Sequence, residues 1–126
     1  MMILGDQRDR LIESLGFNDK LKALTKGNVI HSELEFRCMS LKYSLEPEDF
    51  CPDGIDVIPL WESESSITGF YLDDLEKPIF IHYGVESIED YKVLGSSISD
   101  LVNFLVSEYV DYAYEDEVRD LLVGGS

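Results

Sequence analysis

Side chains able to act as a nucleophile or a general base are few in this chain. Its histidines are His31 and His82, and its cysteines are Cys38 and Cys51. His82 alternates with apolar residues in the stretch "IFIHY", a position more typical of a structural or solvated ring than of a catalytic base. A Cys/His nucleophilic pair has no local signature here, and buried free thiols are usually inert packing. We therefore predict no enzyme, with a small hydrolase that uses His82 and a carboxylate as a remote alternative.

Metal and cofactor chemistry is equally poorly represented. No H-x-x-x-H, C-x-x-C or calcium-loop pattern occurs, and these are the spacings that zinc and calcium sites use. The adjacent carboxylates Asp73-Asp74 and Glu89-Asp90 could hold a hard cation loosely, but such pairs more commonly form a solvated face. Glycine-rich phosphate loops are absent as well. The sequence predicts no metal and no cofactor.

Charge is the most unusual property of the sequence. The 126 residues include 26 acidic and 10 basic ones, which gives a formal net charge of −16 and a pI near 4.2. Residues 1–42 hold seven basic and six acidic residues, whereas residues 43–118 hold two basic and nineteen acidic ones. Such a surface repels nucleic acids and anionic membranes and attracts basic proteins. The simpler alternative is that the charge only keeps the protein soluble.

The location of the protein is predicted from its cysteines and its apolar runs. The two cysteines form neither a C-x-x-C pair nor a dense disulfide framework, which is typical of reduced cytosolic thiols. The N-terminus "MMILGDQRDR" has an apolar stretch too short for a signal peptide, and no window approaches a membrane span. We expect a cytoplasmic protein, monomeric or weakly dimeric, with residues 124–126 as a possible linker remnant.

The first half of the chain predicts helices and then a strand. Apolar residues recur at helical spacing over residues 6–26 and are interrupted near Gly16, which indicates two short helices. Alternating apolar and charged residues predict a strand within 29–43. The Pro52-Asp53-Gly54 turn signal marks residues 44–56 as a loop.

The second half predicts a sheet followed by helices. We expect antiparallel strands over 56–62, 69–73 and 79–83, with a short fourth one over 91–94. Ser97-x-x-Asp100 resembles a capping box and should begin an amphipathic helix, and a last short helix is predicted over 112–123. The prediction is one α+β domain over residues 1–123, with N-terminal helices, a central antiparallel sheet of about four to six strands, and C-terminal helices packed on the sheet.

Several of these elements together resemble the SUKH superfamily. The resemblance lies in four segments: "VIPLW", the predicted strand over 69–73 that pairs with it across a turn, "PIFIHY", and "LGSSISDLVNFLVSEY" with its Phe104-Leu105 pair. It covers residues 56–109, about half of the chain. Membership would imply an α+β domain without catalytic activity. In bacteria such domains commonly serve as immunity proteins of polymorphic toxin systems, and in fungi they belong to cell-wall regulatory proteins.

The resemblance and the charge lead to one functional prediction. Toxins neutralised by such immunity proteins are often nucleases with basic substrate-binding surfaces, which an acidic protein could occlude. We therefore expect an immunity protein that binds a cognate basic toxin one to one, with a non-toxin adaptor or regulator of the same fold as the alternative. The candidate contacts in the loops between strands are Glu62, Glu64, Asp73, Asp74, Glu86, Glu89 and Asp90. Those near the C-terminus are Asp111, Tyr112, Tyr114, Glu115 and Asp116.

Overall fold

The computed structural model describes residues 5–26, 54–63, 66–84 and 86–123, together with Ile3, Asn28, His31 and Pro52. Most of the strand predicted within 29–43, most of the loop over 44–56, both cysteines, Glu64 and the possible linker remnant lie outside these described residues.

The described part of the chain is an α+β fold, as predicted. Two helices come first, four strands follow, and two helices close the chain. Their bounds are α1 Gly5–Glu13, α2 Asp19–Thr25, β1 Ile58–Ser63, β2 Ser66–Leu72, β3 Pro78–Gly84, β4 Lys92–Gly95, α3 Ile98–Tyr109 and α4 Glu115–Val123. Short 3-10 turns precede β4 at Ile88–Asp90 and α4 at Tyr112–Tyr114.

The four strands form an antiparallel meander in the order β1-β2-β3-β4. Pairs such as Ile67 with Tyr83 and Phe70 with Phe80 fix the register between β2 and β3. The register of β1 against β2 shifts between Pro59 and Trp61, which marks a β-bulge. The second strand begins earlier than predicted because the turn after β1 is short: the Ser66 hydroxyl donates to the Ser63 carbonyl at 2.7 Å.

The helices pack on one face of this sheet and form the main core. Trp61, Phe70 and Phe80 lie in one cluster with apolar residues of both helix pairs, and Trp61 is only 1% exposed. The Phe70 and Phe80 rings pack at 5.8 Å between centroids. The predicted packing of the C-terminal helices on the sheet is confirmed by Leu101 and Leu105, which are fully buried in this cluster.

The opposite face of the sheet carries a second apolar cluster. Val57, Ile67, Ile81 and Tyr83 are all buried there. Every residue of β1 is buried in consequence, and this is why that strand reads as an apolar run rather than as a strict alternation.

The helix starts follow the sequence signals. The Ser97 hydroxyl accepts the Asp100 amide at 3.1 Å, and the Asp100 carboxylate accepts the Ser97 amide at 3.3 Å, so the capping box is confirmed. Asn18 caps α2 by accepting the Leu21 amide at 2.8 Å, and its side-chain amide donates to the Leu121 carbonyl at 3.0 Å. This second bond joins the N-terminal helices to α4.

A buried arginine ties α1 and α2 to the sheet. The Arg8 guanidinium donates from Nε to the Pro59 carbonyl at 2.6 Å and from Nη2 to the Thr25 and Leu60 carbonyls at 2.7 and 3.1 Å. Pro59 and Leu60 belong to the bulge of β1, and Thr25 ends α2, where carbonyls lack a partner within the helix. Removal from water lowers the pKa of Arg8, while the neighbouring Asp9 raises it. The arginine therefore joins α1 to the end of α2 and to the bulge of β1.

Candidate protein-binding surface

The meander places the predicted loop acids at two opposite ends of the sheet. Asp73 and Asp74 lie in the turn between β2 and β3, which we call the hairpin end. Glu86, Glu89 and Asp90 lie between β3 and β4, which we call the far end. The seven residues of β3 separate the two ends, and at about 3.3 Å per residue this is a distance of roughly 20 Å. The loop acids are thus two surfaces rather than one.

At the hairpin end, the turn is fixed by one of the acids themselves. One Asp73 carboxylate oxygen accepts the backbone amides of Leu75 and Lys77 at 2.8 and 2.9 Å. Glu76 takes a left-handed conformation with φ 60°. Asp73 therefore has a structural part in the turn, whereas Asp74 is exposed.

A groove of about 500 Å³ opens beside the hairpin end. Its apolar lining includes Ile55, Leu72 and Ile58, the last of which is only 1% exposed, and Tyr71 also lines it. Three carboxylates line it as well, those of Asp56, Asp73 and Asp74, and no lysine or arginine of the described residues does. This volume lies in the range of about 300–1,000 Å³ that is usual for ligand pockets.

Tyr71, which lines this groove, has a shifted pKa. Its phenol has a raised pKa, chiefly because it is partly removed from water and further because negative charge on Tyr91 and Asp73 would repel its phenolate. The ring therefore stays neutral and can offer its aromatic face to a cation.

The far end is an exposed acidic turn. Glu86, Glu89 and Asp90 are all exposed, the last two within the Ile88–Asp90 turn. The next basic residue, Lys92, places its ammonium group 5.3 Å from the centre of the Phe104 ring on α3. The charge of Lys92 thus lies over an aromatic face of the helix.

The C-terminal candidates differ among themselves in exposure. The Asp111 carboxylate accepts the Ala113 amide at 3.0 Å and so begins the 3-10 turn. Tyr112 is 88% exposed, the highest value among the large apolar side chains of the described residues. Tyr114 is 47% exposed and packs on the His31 ring at 5.8 Å between centroids.

Glu115 and Asp116 follow at the start of α4. Glu115 is half-buried, and Asp116 is exposed and lies 3.5 Å from Arg119, one turn further along the helix. Glu117, which was not among the candidates, lies 2.8 Å from the His31 imidazole. Of the C-terminal set, Tyr112 is therefore the side chain best placed for a partner.

The expectation that Glu62 is an exposed loop residue was wrong. It lies inside β1, opposite Ile67, and is 2% exposed. The strand was predicted to end at this glutamate and in fact ends at Ser63, and all of its residues are buried. The Glu62 side chain therefore belongs to the buried second face of the sheet, and the matching candidate Glu64 lies outside the described residues.

His82 is packed between the sheet and α3. Its Nδ1 atom shares a 2.8 Å hydrogen bond with the Thr68 hydroxyl, and its ring lies 4.8 Å from that of Phe104. Burial lowers its pKa, with a raising contribution from Glu108 and a lowering one from Lys92. These contacts favour a structural part for His82 over the base of a hydrolase.

The lowered pKa of His82 predicts a pH dependence of stability. The His82 imidazole binds a proton less tightly in the folded state than in the unfolded state, where its pKa is about 6.5. Acidification therefore favours unfolding. The contribution of His82 should be fully present above about pH 6.5 and should be lost as the pH falls through the folded pKa. We expect the stability of wild type, relative to His82→Gln, to decline over this window in urea denaturation. Parallel curves for the two proteins, or an NMR titration that places the His82 pKa at or above about 6.5, would contradict this.

Within the described ranges, no group of three or more His, Cys, Asp or Glu side chains is arranged to hold a metal ion. No helix in the part of the chain that the structure describes is both long and apolar enough to cross a bilayer.

The groove is the feature that sequence reasoning missed. The sequence predicts that Asp56 ends a loop and that Tyr71 and Leu72 lie near the end of a strand. The pairing of Ile58 with Phe70 brings these two segments side by side. Pairing the predicted strands from their shared turn would have placed residue 56 opposite residue 75, so the sequence did not indicate which residues meet at the groove.

Comparisons of the chain with protein-family models, with curated proteins and with solved structures each found no match.

Proposed function

We propose that this protein is an immunity protein, acting in the cytoplasm, that neutralises a basic toxin domain by one-to-one binding. The observation that carries the proposal is the charge of residues 43–118, with nineteen acidic and two basic residues. The exposed acids of the far end, and the exposed acids Asp116 and Glu117 at the start of α4, lie in this part of the chain. The resemblance to the SUKH superfamily supports the same function on independent grounds.

The physical argument is electrostatic steering. A concentrated negative field attracts a cationic surface from a distance and can raise the association rate by about one to three orders of magnitude. An inhibitor that must reach its toxin before damage accumulates benefits from a high association rate more than from affinity alone. The lysines of the acidic region do not cancel the field: they are only Lys77 and Lys92.

The experiment that tests the function has two stages. The protein is first used as bait in its native host, and the partner is identified as the species recovered at one-to-one stoichiometry and released by salt. The toxic domain of that partner is then expressed in a bacterial host, alone and together with this chain. We expect growth arrest without the chain and normal growth with it. A partner that is harmless when expressed alone would favour the adaptor or regulator instead.

Removing charge from the far end tests the electrostatic part of the proposal. We expect Glu86→Gln with Glu89→Gln to lower the association rate with the captured partner about tenfold at low salt, and to flatten its salt dependence. The matched control is Asp6→Asn with Asp19→Asn, which removes two exposed acids from the charge-balanced N-terminal helices. Stopped-flow binding at several salt concentrations gives both quantities. Equal rates for the two double variants would exclude the far end as a steering surface.

A further inference from the structure

The groove beside the hairpin end combines two properties that an acidic surface alone does not have. Its lining includes the accessible apolar residues Ile55 and Leu72, and it also includes three aspartates. A ligand that fits it needs a positive charge and also an apolar body. Hydrophobic contact and charge complementarity therefore restrict the occupant together.

A metal ion does not match this description. Calcium takes six to eight oxygen ligands and magnesium six, many of them from closely grouped side chains. The carboxylates of Asp56, Asp73 and Asp74 do not form such a group in the described part of the chain. One Asp73 oxygen is already occupied by two backbone amides of the turn. The apolar walls would also make no favourable contact with a hydrated ion.

A long basic side chain matches both properties. Lysine and arginine carry three or four methylene groups that pack on apolar surface while the charged head reaches polar groups. Arginine fits better than lysine because its planar guanidinium binds carboxylates with two parallel hydrogen bonds and also stacks on aromatic rings. Tyr71 supplies such a ring among the residues that line the groove, together with the three aspartates.

The surroundings of the groove favour a side chain carried on a protein over a free small amine. Leu72 and Leu75 are 39% and 75% exposed, and both belong to the hairpin end. Leu72 lines the groove, and Leu75 lies in the same turn as Asp73 and Asp74, so a protein that inserts an arginine could also contact these leucines. Aromatic and arginine side chains that enter pockets are the residues that commonly dominate protein interfaces.

We infer that this groove is the anchoring pocket for one arginine side chain of a basic protein partner. The arginine lies with its methylene stem along Leu72 and its guanidinium at the carboxylates of Asp56 and Asp74. The inference rests on the proposed function in one respect, that the partner is a basic protein, and it adds where that protein is held and by which residue type.

The test uses a capped pentapeptide, Gly-Leu-Arg-Leu-Gly, and the same peptide with citrulline in place of arginine. Citrulline keeps the length and shape of the side chain but removes its charge. Each peptide is titrated into the full-length protein labelled with nitrogen-15, and amide shifts are followed by NMR. We expect saturable shifts at residues 54–58 and 71–75 with the arginine peptide, and binding at least about fivefold weaker with the citrulline peptide.

Two double variants locate the binding. Asp56→Asn with Asp74→Asn should weaken the arginine peptide at least about fivefold, whereas Glu86→Gln with Glu89→Gln, which removes the same charge from the far end, should change it less than about twofold. Well-dispersed NMR spectra establish that both variants are folded. Equal weakening by the two variants, equal binding of the two peptides, or the same shifts produced by millimolar calcium would overturn the inference.

Failure of the inference can be told apart from failure of the proposed function. The peptide titration requires no toxin, so it reports on the groove alone. If the peptide binds elsewhere while the chain still rescues growth, the anchoring pocket is wrong and the immunity function stands. If the arginine peptide occupies the groove and the captured partner is harmless, the pocket stands and the immunity function is wrong.

Discussion

Replacing Arg8 with methionine is expected to lower the free energy of unfolding by about 3–5 kcal/mol. Methionine keeps most of the apolar stem of the side chain but donates no hydrogen bond. The carbonyls of Thr25, Pro59 and Leu60 would then lose the guanidinium as a donor in a buried setting. A domain of this size is stable by about 5–15 kcal/mol, so the loss is a large part of the total. Urea denaturation, with an unchanged m-value, measures it.

Two other substitutions sharpen this experiment. Arg10→Ala is the matched control, because Arg10 lies on the same helix but is exposed and donates to the Asp6 carbonyl at 3.4 Å. Its effect should be within about 0.5 kcal/mol. Arg8→Lys keeps the charge but loses the planar fork, and should fall between wild type and Arg8→Met. If Arg8→Met is no more destabilised than Arg10→Ala, the role assigned to the guanidinium is wrong.

Adding a single methyl group at Gly69 is expected to cost about 3 kcal/mol. A Cβ atom there would lie 2.6 Å from the Ile58 carbonyl oxygen and 3.0 Å from the Pro59 Cα. Both neighbours are backbone atoms of β1, so they can make room only if the strand itself moves. Glycine is required at this position because the bulge brings β1 close to β2, and not because of an unusual φ angle. Thermal or urea denaturation of Gly69→Ala measures the effect.

The control for this substitution is Gly16→Ala. Gly16 has φ +77°, and a Cβ atom added there would have no neighbour within 4 Å, so the methyl group meets open space and only the backbone is strained. The expected cost is about 1–2 kcal/mol. A Gly69→Ala variant as stable as wild type would show that β1 can shift away from β2 without loss.

The two sites should not act independently. Arg8 donates to the Pro59 carbonyl, and Gly69 lies against the Pro59 Cα. Each substitution therefore disturbs the same bulge. Once one substitution has let the bulge relax, the other should lower the free energy of unfolding by less than it does alone. We expect the double variant to be less destabilised than the sum of the two singles by about 0.5–3 kcal/mol.

Much of the fold could be predicted because local signals and tertiary structure agree. The strands around Phe70 and Phe80 alternate in polarity, and Ser97 with Asp100 begins α3 as the capping pattern indicates. Where a strand is buried on both faces, as β1 is, the alternation that marks a buried face disappears. This is why Glu62, at the predicted end of that strand, was taken for an exposed contact.

The parts that could not be predicted depend on contacts distant in sequence. In the sequence, Arg8 is one of several charges on a short polar helix, and nothing local indicates that it binds carbonyls 51 and 52 residues away.

The placement of the loop acids at two ends of the sheet, by contrast, could be predicted. In a meander, successive connections fall at alternating ends of the sheet, so the separation of Asp74 from Glu89 followed from the predicted strand order alone.

The burial of Trp61 provides an optical probe of this structure. It is the only tryptophan of the chain and is 1% exposed, and its indole Nε1 has no hydrogen-bond partner within the described residues. An indole in such dry surroundings fluoresces at shorter wavelength than one in water. Since Trp61 adjoins the bulge of β1, a red shift of its emission would indicate that the contact between β1 and β2 has loosened there. Circular dichroism averages over the whole backbone and would detect this local change only weakly.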